Sequence, residues 1–335
     1  MLQIDNQTPF RAMLSVLPSL DAIDTLYVIV RATLVLRPKL SLAPEQLPVC
    51  LADEYFGDPS DSSLKSVSEI HIGKPGTDVL LVGRAWGPQG QPVRETFVRV
   101  RAGERQKTIR VFGDRVWQPD GTPSVPEPFE AMPLVWERAF GGTHPLEERV
   151  LAEERNPIGV GFAGKRGAEE MAGQPVPNLE DPSAPLTQLG QRPPPVCFAA
   201  TAPHWLPRRG FAGTYDEQWQ RTRAPYLPRD FDPRFLQCAA PEITFDHYLQ
   251  GGEPLEVHGA SPEGQIAFIL PAANLDIGVR VAGSVERPSA HLETVLIEPD
   301  DNRLSLTWRA ALPCDRKVLK VQKVTVARRR AGAPS

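Results

Sequence analysis

Residues 26–36 read LYVIVRATLVL, and this stretch decides the fold class. Apolar side chains occupy both sets of alternating positions, and β-branched residues are frequent. A strand with one solvent-facing side alternates between apolar and polar residues, whereas a strand covered on both faces is apolar almost throughout. The stretch therefore predicts a central β-strand that is buried on both sides.

Three further β segments are predicted between Asp78 and Trp117. They read DVLLVGRAW (78–86), VRETFVRVR (93–101) and KTIRVFGDRVW (107–117). Gly-Pro-Gln-Gly separates the first two segments and Ala-Gly-Glu separates the second two, and both strings favour turns. Because short turns join neighbouring antiparallel strands, the sequence predicts a three-stranded meander.

The C-terminal third has the same character. Residues 292–297 and 303–308 flank Pro-Asp-Asp-Asn, and in the second arm apolar and polar residues alternate. This pattern predicts a β-hairpin. Residues 265–270 and 316–327 are predicted to form further strands.

Proline makes the middle of the chain unsuitable for regular secondary structure. The chain has 36 prolines in 335 residues, and 20 of them lie between Pro119 and Pro241. Proline lacks a backbone N–H and is excluded from helix interiors and from central strands. We therefore expect ordered loops here, with short helical turns only at 134–139 and 214–221.

These patterns together predict a mainly β protein. Its antiparallel sheets are expected to form a sandwich or two β modules, with a large proline-rich, loop-dominated middle and few short helices. The predicted segments are an N-terminal β module (1–118), an irregular proline- and aromatic-rich segment (119–245), a C-terminal β module (246–327) and a disordered tail (328–335). One continuous domain is the alternative. Residues 119–245 are called the middle segment below.

Composition and charge argue against several classes of function. The formal net charge is −4 and the pI about 5.9, so the overall balance does not favour a nucleic acid or an anionic membrane as partner. The N-terminus has no basic start followed by an apolar run. No stretch approaches the roughly 18 apolar residues of a membrane span. We expect a cytoplasmic protein.

Cysteine and histidine spacing indicates no metal or redox site. The cysteines are scattered without C-x-x-C spacing, which favours buried free thiols: Cys50, Cys197, Cys238 and Cys314. The six histidines show neither H-x-x-x-H nor H-E-x-x-H spacing. The sequence therefore predicts neither a metal site nor a cofactor.

The string GVGFAGKRG at 159–167 matches G-x-G-x-x-G and almost matches a phosphate-binding loop. A dinucleotide fingerprint needs an apolar strand before the first glycine and a helix after the last one. Here ERNPI precedes the motif, and Arg166 stands where a magnesium-binding hydroxyl is required. We interpret the motif as a glycine-rich structural loop.

Two other classes of function stay open. In a hydrolase, Asp230, Asp232 and His247 would converge from separate loops, although no strand-to-helix serine or cysteine elbow is found. A carbohydrate-binding or structural β protein would show a flat row of exposed aromatics on one sheet. The aromatics instead concentrate in the middle segment, which argues against this second class.

Aromatic residues in the middle segment are the candidates for protein-binding anchors. Aromatics among prolines either cover a core or contact a partner, and rigid loops lose little entropy on binding. Those flanked by proline and arginine are the best candidates for exposed anchors. The predicted partner-binding set is Trp205, Arg208, Arg209, Trp219, Tyr226 and Phe231.

Many separate strings, in order from about Thr8 to Thr325, resemble an uncharacterised-domain family encoded in bacterial type VI secretion clusters. These strings are LYVIVRATLVL, KPGTDVLLVGRAWGPQGQPV, IRVFGDRVW, PFEAMPLVWERAFGG, NPIGVGF, VPNLEDP, AGTYDEQWQRTRAPYLPRDFDPRF and LETVLIEPDDNRLSLTWRA. The resemblance implies an adaptor or chaperone rather than an enzyme. Such a protein binds an effector through its proline-alanine-alanine-arginine (PAAR) tip region and loads it onto the trimeric valine-glycine-repeat spike. The resemblance supplies no catalytic residues.

We predict that the purified protein binds no stoichiometric metal ion or nucleotide, because no ligand spacing and no phosphate-loop context is present. Elemental analysis and calorimetry with ATP and NAD test this. One zinc per chain, or tight nucleotide binding, would contradict the prediction.

Overall fold

The protein is described by a computed structural model over residues 3–328, and strands dominate it. Strands contain 39% of the residues and helices 10%, so the predicted mainly β class is confirmed. The strands are β1 (Gln3–Asn6), β2 (Arg11–Pro18), β3 (Asp24–Val35), β4 (Ser41–Leu42), β5 (Glu54–Tyr55), β6 (Leu64–Ser66), β7 (Asp78–Leu81), β8 (Arg84–Trp86), β9 (Glu95–Ala102), β10 (Arg105–Phe112), β11 (Arg115–Val116), β12 (Ala131–Pro133), β13 (Phe140–Gly141), β14 (Thr143–Pro145), β15 (Val150–Ala152), β16 (Val160–Gly161), β17 (Pro175–Val176), β18 (Leu179–Glu180), β19 (Pro254–His258), β20 (Ile266–Ile269), β21 (Leu275–Val281), β22 (Ser284–Glu286), β23 (Ala290–Glu298), β24 (Arg303–Pro313) and β25 (Val321–Arg328).

The helices are short. The α-helices are α1 (Ala168–Met171) and α2 (Glu217–Thr222), and 3-10 helices lie at Pro88–Gly90, Trp136–Arg138, Arg208–Phe211, Pro233–Leu236, Pro241–Ile243 and Asp315–Lys320. Within residues 3–328, none of them has the length and apolar character needed to cross a membrane. Helices at 136–138 and 217–222 overlap the helical turns predicted at 134–139 and 214–221.

Strand β3 is the centre of the largest sheet, as its apolar sequence predicts. The sheet has the order β2-β3-β24-β23-β7, and β4 pairs with the far end of β3. Both β2 and β24 pair with β3 in antiparallel register. All residues from Leu26 to Thr33 are buried. The central position and the burial on both faces are therefore confirmed.

The two faces of this sheet differ in chemistry. Alternate β3 residues from Leu26 to Ala32 belong to the main hydrophobic core. That core also takes side chains from a five-stranded sheet, β18-β10-β9-β19-β20, and a four-stranded sheet, β1-β25-β21-β22. On the opposite face Arg31 and Thr33 lie beside Thr307 and Ser305 of β24. The large sheet thus has an apolar face toward the other sheets and a buried polar face.

The predicted meander between Asp78 and Trp117 is only partly correct. β9 and β10 form the predicted hairpin through a turn at Gly103 and Glu104. The first segment does not join them: β7 pairs in parallel with β23 in the large sheet, and β8 pairs with β12. These pairings depend on packing against strands that are distant in the sequence, so the order of the segments along the chain does not predict them.

The C-terminal strands agree with the prediction except in one boundary. β23 and β24 form the predicted hairpin, and β20 lies within the predicted 265–270 strand. The strand predicted at 316–327 begins later, because Asp315–Lys320 form a 3-10 helix before β25. Arg328, the first residue of the predicted disordered tail, is the last residue of β25; residues 329–335 lie outside the described residues.

Strands from both terminal segments share sheets. β3 pairs with β24 in the large sheet, and β1 pairs in parallel with β25 in the four-stranded sheet. The predicted segment boundaries at 118 and 245 stay a prediction, as does the alternative of one continuous domain.

The middle segment packs through side chains rather than through long strands. Trp136, Phe198 and Trp205 belong to the main core. A second, smaller core contains Phe140 and Phe162 of this segment together with Trp117. Much of the aromatic content of this segment is therefore used in burying surface.

Buried ion pairs occupy the polar face of the large sheet. They are Arg31 with Glu69 (Nη1 to Oε2, 3.3 Å), Lys74 with Asp78 (Nζ to Oδ2, 2.7 Å) and Arg309 with Glu293 (Nε to Oε2, 2.8 Å). Glu69 and Lys74, two of the six partners, lie on the chain between β4 and β7, and this segment covers the face. The cluster contains three cations and three anions, so its charges balance.

Pairing decides the ionisation of these groups. Burial disfavours the charge on Lys74, but the Asp78 carboxylate raises the Lys74 pKa above its usual value. Burial raises the pKa of Glu293, while the Arg309 guanidinium opposes that shift. His71 has a pKa well below its usual value because of burial and the nearby Arg309 charge. Removing one partner would leave a buried charge uncompensated.

We predict that Glu293→Gln lowers the free energy of unfolding by about 3 to 5 kcal/mol, because it leaves the buried Arg309 charge without its partner. Chemical denaturation measures the change. The control is Glu217→Gln, which removes an exposed ion pair with Arg221 and should cost at most about 0.5 kcal/mol. Equal small effects in both variants would contradict the prediction.

Candidate functional site

Trp205 does not lie at the surface, so its predicted role as an exposed anchor is wrong. Its side chain is only 1% exposed. The indole packs edge-on against Trp136, with ring centroids 5.8 Å apart. The neighbouring Pro207 and Arg209 are exposed, so the proline and arginine neighbours correctly indicate a surface loop. The loop turns the tryptophan ring inward, where apolar neighbours cover it.

Arg208 is also buried and joins two loops of the middle segment. Its Nε donates to the Phe235 carbonyl and its Nη1 to the Thr201 carbonyl, both at 2.7 Å. The guanidinium lies over the Phe235 ring at 5.3 Å. Arg209 points to solvent and pairs with Glu154 at 3.2 Å. The first arginine therefore positions the loops, and the second remains available at the surface.

The other predicted residues divide between the interior and the surface. Phe231 is 7% exposed and packs edge-on against Phe235. Tyr226 is 37% exposed, and its carbonyl accepts the Trp219 Nε1–H at 2.9 Å. The structure thus brings Arg208 and Phe231 together around Phe235, and it joins Trp219 to Tyr226 separately beside α2.

A surface groove that the sequence did not predict lies next to Arg208. One half, a cavity of about 260 Å³, is lined by Pro207, Phe211, Arg234, Ala239 and Thr244 among others. The other half, about 180 Å³, is lined by Pro194, Pro195, Val196, Leu206 and Glu242 among others. Thr201, Pro207 and Pro241 line both halves. We call the two halves together the proline groove.

The proline groove is built on the buried ion-pair cluster. Asp78, which pairs with Lys74, accepts the backbone N–H of Cys238 at 2.9 Å and the Thr244 hydroxyl at 3.4 Å. Thr201 donates its N–H to the Cys238 carbonyl at 2.8 Å. Three residues that line the groove are therefore fixed to the large sheet through one carboxylate.

Two cations that line the groove, Arg234 and Lys107, are paired with carboxylates. Arg234 contacts Asp232 at 2.5 Å and lies over the Phe211 ring at 4.4 Å. Lys107 pairs with Glu242 at 2.9 Å. Proline rings supply no N–H donors, so the walls are mostly apolar. Such a surface suits the binding of apolar side chains rather than catalysis.

The thiols near the groove are not nucleophiles. Burial raises the pKa of Cys238 to about 11 and that of Cys197 to about 12. A reactive cysteine needs a pKa at or below neutrality and solvent access. All four cysteines are buried and free, as predicted.

The residues of the hydrolase alternative do not share a site. Asp230 accepts hydrogen bonds from the Thr214 N–H and hydroxyl, at 3.0 and 2.7 Å. Asp232 binds Arg234, and His247 contacts its neighbour Asp246. In residues 3–328 no group of three His, Cys, Asp or Glu residues is arranged to hold a metal ion. These side chains have local structural partners.

The glycine-rich loop at 159–167 packs tightly around Asn156. The fully buried Asn156 amide donates to the Trp136 and Phe140 carbonyls at 2.8 and 3.0 Å. A Cβ at Gly159 would lie 2.5 Å from the Ala139 carbonyl and closer still to the Asn156 side chain. Arg166 donates to the Phe162 carbonyl at 2.6 Å, which occupies it within the loop. Gly159 is thus required for packing.

Comparison with known families gives one match. A family model described as "Uncharacterized protein conserved in bacteria (DUF2169)" matches residues 21–309, which is most of the chain. The search of curated proteins and the search of solved structures found no match.

We predict that Gly159→Ala destabilises the protein by roughly 1 to 3 kcal/mol, because the added Cβ overlaps the Ala139 carbonyl and the Asn156 amide. The matched control is Gly210→Ala, where nothing lies within 4 Å of the new Cβ. It should change stability by no more than about 0.5 kcal/mol. Thermal and denaturant unfolding measure both; an unchanged Gly159→Ala would refute the packing role.

Proposed function

The chain belongs to the bacterial DUF2169 family, and we propose that it is an adaptor that binds another protein through the proline groove. The partner proposed is a type VI secretion effector, bound through its PAAR tip region in the bacterial cytoplasm and loaded onto the valine-glycine-repeat spike. The resemblance in sequence suggests this class of partner. The proline groove supplies a binding surface.

The observation that carries the proposal is the apolar, charge-paired character of the groove. Pro207, Phe211 and Pro241 present rings at its surface, while Arg234 and Lys107 are already neutralised by carboxylates. Binding an apolar segment here would displace water from those rings without leaving the Arg234 or Lys107 charge unpaired. A small charged substrate would find few free polar groups.

Rigidity of the groove also favours binding. Its walls are loops held by the Arg208 and Asp78 hydrogen bonds described above, and several of its residues are prolines. Ordered walls lose little conformational entropy when a partner docks, which leaves more of the contact energy as affinity. A broad protein partner could extend from the groove to Tyr226 and Arg209 on the nearby exposed loops.

The alternative functions have less support. The hydrolase residues Asp230, Asp232 and His247 each have a separate local partner. For carbohydrate binding, the exposed Phe56, Phe97 and Tyr215 lie on different elements and do not form a row on one sheet.

We predict that Phe211→Ala weakens capture of a PAAR-containing effector by ~1 to 3 kcal/mol, the range for an interface anchor. The control is Phe97→Ala, which removes an exposed phenyl ring from β9, outside the groove. The measurement pairs a pull-down from co-expression with a thermal melt of each variant. Full capture by a folded Phe211→Ala variant would refute the groove as the site.

Two further variants locate the interface more finely. Tyr226→Ala should fold normally and lose affinity only if the partner reaches α2. Trp205→Ala should lower the melting temperature together with capture, since the ring is in the core. Loss of capture by Phe97→Ala alone would move the interface to the five-stranded sheet.

A further inference from the structure

Strand β2 forms an open edge of the large sheet. It is the outermost strand of that sheet and pairs only with β3 among the described residues. It is eight residues long, and no residue from Ala12 to Pro18 carries a charge. Natural proteins usually protect such an edge with charges, a bulge or a covering segment, because its free backbone groups can pair with another strand.

The other sheet edges are protected in these ways. At the opposite edge of the large sheet, the middle segment covers β7, with the Leu81 N–H bonded to the Phe198 carbonyl at 3.2 Å. β1, β20 and β22 are three or four residues long. β1 also carries Asp5, which pairs with Lys323. Strand β2 is therefore the one long, uncharged, uncovered edge among residues 3–328.

The hydrogen bonds at the β2–β3 turn show which backbone groups of β2 point outward. Ser19 donates its N–H to the Ile23 carbonyl at 2.9 Å, so residue 19 faces β3. Along an antiparallel strand the direction alternates, so the odd residues of β2 bond to β3 and the even ones point away. The Asp24 carbonyl fits this alternation, because it accepts the Cys314 N–H and therefore points away from β2. The outward N–H and C=O groups are those of Ala12, Leu14 and Val16.

An intermolecular hydrogen-bond ladder cannot continue past either end of this stretch. At one end Phe10 donates its N–H to the Thr8 hydroxyl and its carbonyl accepts from the Asn6 amide. At the other end Pro18 has no N–H. Within the described residues, Ala12, Leu14 and Val16 make no hydrogen bond on their outward side. Ala12, Leu14 and Val16 thus offer three donors and three acceptors, and Val16 is 43% exposed.

We propose that this edge binds a second copy of the chain, with the two β2 strands antiparallel about a two-fold axis through Leu14. In that register Leu14 pairs with Leu14 of the other copy, and Ala12 pairs with Val16. All six free groups of each copy are then used, and the ladder ends where Phe10 and Pro18 offer no donor. Other two-fold registers leave part of the set unpaired.

The side chains permit this pairing. Arg11, the one charged residue of β2, falls opposite Leu17 rather than opposite the other Arg11, so no like charges meet. Met13 falls opposite Ser15. The same surface serves both copies, as a two-fold interface requires, and the result is one continuous sheet across the dimer. This inference does not depend on the proposed function, because the proline groove lies in another part of the chain.

The test uses the full-length protein and variants that change only the outward groups. Val16→Pro removes an outward N–H without touching the β2–β3 hydrogen bonds. Because the interface is symmetric, the substitution removes two intermolecular hydrogen bonds. Sedimentation velocity should therefore show a dimer dissociation constant that is raised about tenfold or more. The control Val16→Thr keeps the N–H and the branched shape and should dimerise as the wild type does.

A second variant and a second measurement distinguish loss of dimerisation from misfolding. Val16→Lys places a charge on the edge and should also give a monomer, with an unchanged melt measured at low concentration. Amide exchange followed by NMR should show Ala12, Leu14 and Val16 protected only in the dimer, and Met13 and Ser15 protected in both states.

Several outcomes would overturn the proposal. A wild type that stays monomeric at its highest soluble concentration would do so, as would a dimer that both Val16→Pro and Val16→Lys leave intact. A monomer whose Leu14 amide becomes protected only when the PAAR-containing protein is added would assign the edge to a strand of that partner instead.

Discussion

The Lys74–Asp78 ion pair is the interaction on which the arrangement of the rest depends. The polar face of the large sheet is covered by the segment between β4 and β7. The Lys74–Asp78 pair lies where the sheet, this covering segment and the middle segment meet. Asp78 is fully buried, and besides Lys74 it receives the Cys238 N–H. A carboxylate in such a position is stable only while each partner stays in place. The same contact therefore holds the sheet surface covered and fixes one side of the proline groove.

The sequence was most informative where burial and local pairing coincide. The apolar run around Leu26 identified the central strand, and alternation with a turn identified the hairpin of β23 and β24. Prediction failed for β7, because a four-residue apolar strand carries no signal about which distant strand it joins. It failed for Trp205 for a related reason: proline and arginine neighbours indicate a surface loop, but they do not reveal which way a side chain on that loop points.

The proline groove could not have been predicted from local patterns. Most of its residues come from Pro194 to Phe211 and from Arg234 to Thr244, with further ones such as Lys107 and Trp136 from distant strands and loops, and only tertiary contacts bring them together. The proline enrichment correctly indicated that the middle segment contains few regular elements. It did not distinguish residues that line the groove from residues such as Phe231 that fill the interior. Of the partner-binding set predicted from sequence, Arg208 alone lines the groove, and the binding role of the set stays a prediction.

The pairing of β3 with β24 has a consequence for how the protein is made. Arg31 and Ser305 are hydrogen-bonded neighbours on this sheet but are 274 positions apart in the chain. During synthesis β3 leaves the ribosome long before β24 exists, so its apolar face stays without its final partner while most of the chain is translated. Such long-range sheets form slowly and expose aggregation-prone strands meanwhile. The order of synthesis therefore leaves the central strand of the largest sheet open to wrong pairings until almost the whole chain has been made.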